Sequence, residues 1–574
     1  MDSQKRLMLA LGLSLLVTMG YMAVVSKSSP HSDAAPGPSP TAAGQKQSPL
    51  VIPSNQAAQI PEASSGSIAM PVQTIERNRG SVHYLFSNRG AGLERAQLQG
   101  NKMREQQQMD IGQGIQRFLG HPVPDAPQMD LALPVPGQPL PLSVEVRGTV
   151  NLASSVVYNV AGDSNDQPLV FKTEQQGLAV TKTFHFSESG LETDYSLLFE
   201  NRGKTPIEGE YGIYYGRGID PSTERAPSFF GGVGNQSHST CSVGDSIKKE
   251  APKDKAAPEE RGLVHFFGVD QQYFLAALYP LDGAQAGRCI QVATPTERSA
   301  TAYFPLHLKP GESVTQRFGL YVGPKDGDLL SKIGKTFQPH LEKTVDFGIW
   351  AAICKLLLTV LNFFQQVTHS WGIAIILLTV GVKVVLLPLT HKSMVSAESM
   401  KKLQPRMEEL KKKFPDDKQK QQSEMMKLYQ EAKVNPLGGC LPMLIQMPVW
   451  IALFTTLRNT YQIYREPFFL WNDLTFKDPT YLLPLALGLT MIVTQKLQPQ
   501  MMDAAQAKMM TYIMPVFFTG IMLQYPAGLT LYIFTNNLLS IAQQYGLKRY
   551  LKAREPAAEA TVSLGIKKVS ERKS

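Results

Sequence analysis

The chain has 574 residues but only four cysteines. That is too few for a disulfide framework, and no cysteine precedes Cys241, which excludes a lipoprotein-type N-terminal cysteine. Cys241 and Cys289 fall in a polar region, Cys354 and Cys440 in an apolar one. Their spacing does not show whether Cys241 and Cys289 approach, so free thiols are expected; pairing stays open if that region faces an oxidising compartment. Signatures of catalysis are also missing. No H-E-x-x-H, paired C-x-x-C or G-x-S-x-G occurs, and "SKIGKTF" (331–337) has Leu329 where a phosphate-binding loop needs its first glycine. His83 and His238 read as surface or core residues, not ligands. No enzyme activity, cofactor or metal is expected.

Charged residues make up 18% of the chain and mean hydropathy is −0.14. These averages mix a polar, Gly-, Pro- and Ser-rich region (26 to about 340) with one of long, closely spaced apolar runs (about 345 to 547). The net charge of +9 would suit nucleic acid, but the basic residues cluster at the ends of apolar segments, which points to membrane topology.

Six segments are apolar enough to span: 6–25, 371–390, 437–457, 481–497, 510–524 and 527–545. The first follows Lys5 and lacks a small-residue cleavage site, so residues 1–25 read as an uncleaved anchor. The polar loop 391–435 carries 11 Lys and Arg against 7 Asp and Glu, whereas 459–479 has two basic residues against three acids. The positive-inside rule puts 391–435 in the cytoplasm and 459–479 outside. Both termini are then cytoplasmic, with a basic tail at 548–574. Residues 345–367 would add a seventh span and break this agreement; Lys355, Asn362, Gln365 and Gln366 instead suggest an amphipathic helix along the outer interface. Residues 392–413 and 418–433 read as two helices broken at "FPDD", with Met-rich faces that suit either their own packing or varied apolar clients.

The external region divides into a Pro-, Ser- and Ala-rich tether (26–72) and a domain over 73–340. There "SVHYLFSN", "LAVTKTFHFSES" and "TQRFGLYVGP" alternate or run apolar between turn residues, which predicts a large all-β sandwich. The fold class is thus a multi-domain membrane protein: an α-helical transmembrane bundle of six spans, five of them (371–547) forming a core, plus the β-sandwich.

Within the bundle, Lys383 sits among apolar neighbours, where a cation at a helix centre costs roughly 2.5–3.5 kcal/mol. Thr379 shares its helix face. The last span carries a polar stripe of Tyr532, Asn536, Ser540 and Gln543 at i, i+4, i+8 and i+11. Interhelical hydrogen bonding is the commoner reading of such a stripe, and Lys383, about 18 Å along the helix from Trp371, has a stem able to snorkel to the headgroups. A hydrated groove open to the cytoplasm is the reading preferred here, because intramembrane charges face bundle interiors or wet cavities.

The third span opens "KVNPLGGCLPMLIQMPVWIALFTTLRN" (433–459). Asn435 and Pro436 start the helix, Gly438 and Gly439 permit close contact, and Pro442 and Pro448 flank Gln446 and kink it. With "DDKQKQQSEMMKLYQEAKVNP" upstream and "YPAGLTLYIFTNNLLSIAQQ" (525–544), it resembles the YidC family of membrane-protein insertases over about residues 345–550. The N-terminal anchor and large external domain resemble its Gram-negative members. The resemblance implies an inner-membrane insertase and chaperone for nascent membrane proteins, with the β domain in the periplasm. It also implies work alone or beside the Sec translocon, contact with ribosomes and targeting factors, and membrane lipids as surroundings. It implies a groove arginine at the position of Lys383; the lysine keeps the charge and loses the planar donor fork. A secondary transporter or channel is the main rival, since both hold polar residues in membrane helices, but no repeated half is evident.

Overall fold

In a computed structural model the described residues run from 71 to 570, apart from 107–108, 110, 120, 162–166, 225–234, 253–258, 338, 415–416, 433–440 and 498–507. The anchor at 1–25 and nearly all of the tether at 26–72 lie outside the described residues.

Sixteen strands among the described residues build the external domain between Thr74 and Pro324. Period-two segments give half-buried strands, as in Thr74–Arg79. The unbroken apolar run Phe274–Pro280 is buried along its whole length, as a strand covered on both faces must be. Three strands (Thr74–Arg79, Val82–Ser87, Gly92–Leu98) form a small antiparallel sheet, and thirteen form a larger one. The large sheet folds over itself. Phe199 meets Tyr211 at 4.9 Å between ring centroids, and Phe304 meets Phe318 at 5.7 Å, although neither pair lies on hydrogen-bonded neighbours. The result is the expected sandwich. Phe86 of the small sheet closes one end against Phe171 and Phe184.

A lysine pins that closure. Lys182 is fully buried, and its Nζ donates to the carbonyls of Gly90 (2.7 Å), Leu142 (2.9 Å) and Ala91 (3.4 Å). Burial pushes its pKa well below the ordinary lysine value, since desolvation disfavours the charged form. Cys241 and Cys289 form a disulfide with Cα atoms 6.5 Å apart, contrary to the expectation of free thiols. Antiparallel pairing of both their strands with Glu260–Asp270 brings together residues 48 apart in sequence, which spacing alone does not reveal.

Among the described residues one helix, α1 (Ile111–Phe118), interrupts the β domain, and another, α2 (Gly327–Phe337), follows its last strand. The "GKT" of 334–336 lies inside α2 and not on a phosphate-cradling loop. Then the membrane region begins. Helix α3 (Ala351–Thr368) ends at left-handed His369, and Ser370 caps the next helix by accepting from the Ile373 amide. Helix α4 runs unbroken from Trp371 to Lys413, about 65 Å at 1.5 Å per residue. It takes in both the apolar segment and the first arm of the polar loop, with Pro388 and Pro405 inside it. Asp417 caps α5 (Lys418–Glu431). Helices α6 (Leu441–Asn459), α7 (Leu482–Leu497), a π turn (Met509–Ile513) leading into α8 (Met514–Met522), and α9 (Ala527–Ser570) complete the chain. The last helix continues far beyond the apolar segment, through Gly546 and Pro556, and much of its Lys-, Glu- and Ala-bearing extension favours helix.

Helices α3, α4, α6, α7 and α9 share one apolar core that includes Cys354, Leu361, Ile375, Leu457, Leu487 and Leu531. The start of α3 meets α6: Asn459 Nδ2 donates to the Asp346 carbonyl (2.6 Å) and Cys354 Sγ to the Ala452 carbonyl (3.4 Å). Its other end turns straight into α4. Met400 and Met407 are buried, and Tyr429 reaches the Met407 sulfur at 3.5 Å. The methionine face of the α4–α5 hairpin is thus used in its own packing.

His238 sits low in the sandwich beside Asp270, Lys249, Lys325 and Arg298; burial first, then the three cations, brings its pKa down to about 4 against the pull of Asp270. The unfolded chain, with an ordinary value near 6.5, binds the extra proton between those limits. Stability from neutral His238 is therefore complete above about pH 6.5 and lost as pH falls towards 4, by up to about 3 kcal/mol. Thermal unfolding of the β domain followed by circular dichroism from pH 7 to 4.5 should show this slope, and His238→Gln should flatten it.

Candidate functional site

The faces of α4 decide where Lys383 points. Val380, Val384, Val385 and Leu387 are exposed on one side, while Trp371, Ala374, Ile375, Leu378 and Thr379 are buried on the other. Lys383 belongs to the buried side, with 9% of its surface exposed. Its Nζ donates to Ser540 Oγ at 2.8 Å, and Ser540 Oγ donates in turn to the Asn536 carbonyl at 2.8 Å. The cation therefore faces α9 across the bundle and does not turn out to the lipid side. Among the described residues no carboxylate pairs with it.

The remaining polar residues divide. Gln446 Nε2 of α6 donates to Tyr532 OH at 2.7 Å, so Tyr532, 2% exposed, ties α9 to α6 while Ser540 ties it to α4. Two helical turns separate the ties. Asn536, between them, carries a buried Oδ1 with no partner among the described residues, and so does Gln544 at its Oε1. Buried acceptors of this kind are normally satisfied by protein or ordered water. Gln543 is half-buried on the same stripe. Thr379 shares the face of Lys383, but its hydroxyl donates to the Ile375 carbonyl of its own helix at 2.7 Å. It lines the site without bridging it. Pro448 lies inside α6; Pro442 is in the same helix, its side chain outside the description. Asn435, Pro436, Gly438 and Gly439 lie outside the described residues.

Sequence reasoning missed a second functional contact. The segment between α6 and α7 docks onto the β domain. Tyr464 enters the external hydrophobic core, tilted against Tyr273 (4.5 Å between centroids) and edge-on to Phe274 (5.5 Å). Its hydroxyl donates to the Arg104 carbonyl at 2.6 Å. Arg465 Nη1 donates to the Glu105 carbonyl at 2.9 Å, and Lys102 pairs with Glu466. Gln272 Nε2 reaches the Arg458 carbonyl at 2.9 Å. The aromatic run "YQIY" (461–464) was the available signal. These contacts put the 459–479 connection on the same side of the bundle as the β domain. The α4–α5 hairpin lies at the far end of α4.

Removing one partner of a buried hydrogen bond strands the other, at about 1–3 kcal/mol. Tyr532→Phe should therefore lower the unfolding temperature of the purified full-length protein, and adding Gln446→Leu should recover much of the loss. Unchanged melting in the single variant would show that the α6–α9 tie contributes nothing.

Two family descriptions match consecutive parts of the chain. Residues 139–360 match the YidC periplasmic domain and residues 363–554 the 60Kd inner membrane protein. A membrane protein insertase YidC of Anaeromyxobacter dehalogenans (strain 2CP-C) is 36% identical over 566 residues, 96% of this chain and 99% of that protein. One of Geotalea daltonii is 32% identical over 563 residues, 96% of this chain and all of the other. Among solved structures, an active YidC insertase with its first transmembrane domain resolved covers 83% of this chain and 94% of its own, at 19% identity and a TM-score of 0.34. With a sandwich facing the periplasm, an apolar helical core and relatives aligned over nearly their whole length, the chain belongs to the YidC family of membrane protein insertases.

Proposed function

We propose that the chain inserts newly made proteins into the bacterial inner membrane through a hydrated groove walled by α4, α6 and α9 and open to the cytoplasm. The observation that carries this reading is Lys383: turned into the bundle, held by Ser540 and unmatched by any carboxylate among the described residues. A cation so placed attracts an acidic segment of a client. At 4 Å and an effective dielectric of 20 the attraction is roughly 4 kcal/mol, and less with water between the charges. That holds a short tail transiently without trapping it. The unpartnered oxygens of Asn536 and Gln544 supply hydration sites along the same wall.

Short helices supply the rest. The apolar segments in α7 and in α8 with its π turn run over 481–497 and 510–524. They cover about 26 and 22 Å at 1.5 Å per residue, against a hydrocarbon core of about 30 Å. Local thinning of the bilayer answers such a mismatch and shortens the path of a polar tail. The client's apolar segment then partitions along the exposed faces of α4 and α9 into lipid, driven by apolar burial, with no nucleotide consumed by the insertase.

In this reading there are six spans, with α3 lying along the outer interface, consistent with the placement of both its ends beside the outer ends of α6 and α4. Both termini are cytoplasmic. The basic hairpin and tail are oriented to meet ribosomes and targeting factors, and the exposed flank of the bundle to adjoin the Sec translocon. Lys383→Glu should sharply reduce insertion of clients with acidic external tails in reconstituted proteoliposomes, read by protease protection, while Lys383→Arg should retain it. Equal insertion by Lys383→Glu would remove the groove charge from the mechanism.

A further inference from the structure

Helix α1 has a face that the β domain does not use. Ile111, Ile115 and Leu119 recur every fourth residue and are 49%, 46% and 63% exposed, forming one apolar stripe. The Leu119 amide donates to the Ile115 carbonyl at 2.9 Å, so the stripe stays helical to its end. Gln116, exposed, and Gln113, half-buried, occupy the other side. The edge of the stripe is anchored: Gly114 is buried, and a Cβ there would stand 3.0 Å from Pro479 Cβ. Pro479 lies three residues before α7, whose Leu482, Leu485 and Leu489 are 53%, 59% and 65% exposed on the flank that faces lipid. The unpartnered stripe of α1 thus continues the lipid-facing surface of α7 at its outer end.

We propose that α1 is an interfacial foot: its Ile111–Ile115–Leu119 stripe enters the outer leaflet beside α7 and seats the β domain on the bilayer. The occupant of the stripe is lipid, because the stripe adjoins a surface that lipid already covers. Trp471 lines a cleft of about 440 Å³ between the 101–125 segment and the 465–479 connection, at the level where interfacial tryptophans gather. Charge does not drive the contact. The same cleft sets Lys102, Arg104, Arg465 and Lys477 against Asp125, Glu466 and Asp473, nearly balanced, so binding comes from apolar burial and does not require acidic headgroups.

The test is a nitroxide at Ile115→Cys or Gln116→Cys in the full-length protein, in nanodiscs of phosphatidylcholine alone or with phosphatidylglycerol. The label at 115 should be relaxed by oxygen and protected from aqueous nickel chelate, and that at 116 the reverse, with the accessibility ratios differing by about threefold or more, as expected for opposite faces of an interfacial helix. Leu119→Asp should abolish protection at 115 while leaving the melting of the β domain unchanged, because the stripe packs against none of it. A label at 115 open to nickel, or shielded from both relaxers by the tether, a second copy or another protein, overturns the proposal. Penetration confined to the acidic discs overturns its apolar basis.

Discussion

A charge inside a membrane bundle must be hydrogen-bonded, hydrated or both, and the helical core is arranged around meeting that demand for Lys383. The requirement sets the rotation of α4: one face gives Val380, Val384 and Leu387 to lipid, the other gives Lys383 to α9. It also sets the composition of α9, where Ser540 accepts from the ammonium and donates its own hydroxyl to the Asn536 carbonyl. Gln446 and Tyr532 hold α6 against the same helix. Neutral amides and hydroxyls, unlike a carboxylate, leave the charge uncancelled. A buried lysine with a matched acid would be a structural ion pair; on the proposed route this one serves as a positive site.

The outer end of the bundle is treated oppositely. There the 459–479 connection and the β domain share aromatic packing, ion pairs and carbonyl bonds, with Tyr464 inside the external core. The main-chain carbonyls of Arg104, Glu105 and Arg458 accept from side chains across that junction, and Lys102 pairs with Glu466, which fixes the docking. At the inner end the α4–α5 hairpin packs on itself through Met407 and Tyr429, and methionine adapts to alternative neighbours more readily than an aromatic lock does. On the proposed route, a bundle fixed at one end and adaptable at the other would hold its outer geometry while its inner mouth accommodates different clients.

Periodicity made much of this legible. Alternation in "VHYLFS" and the unbroken run "FLAALYP" describe half-buried and fully buried strands, which is how Val82–Ser87 and Phe274–Pro280 are built. The i, i+4, i+8 spacing of Tyr532, Asn536 and Ser540 placed them on one face, and the structure brings Ser540 to Lys383. What stayed hidden depends on tertiary contact. Neither the Cys241–Cys289 pairing nor the burial of Lys182 among three carbonyls has a local signature. The continuity of α4 was hidden for another reason: polarity changes at residue 391, but helix propensity does not, and hydropathy reports the bilayer and not the backbone. Thr379 shows the limit of a facial argument, since sharing a face with Lys383 did not make it a bridge; a threonine in a helix bonds its own i−4 carbonyl.

The choice of lysine has a consequence of its own. An ammonium carries three donors, and Ser540 takes one. Among the described residues the other two have no partner, and on the proposed route they can turn towards a client carboxylate on a stem that swings without breaking a planar fork geometry. An arginine would offer a bidentate grip and a stronger preference for a single approach. For an insertase on the proposed route, client tails differ in sequence and must be released as readily as they are caught. A point charge on a flexible stem discriminates little between approaches, and an attraction of roughly 4 kcal/mol at most is small enough for apolar partitioning of the client's own segment to overcome.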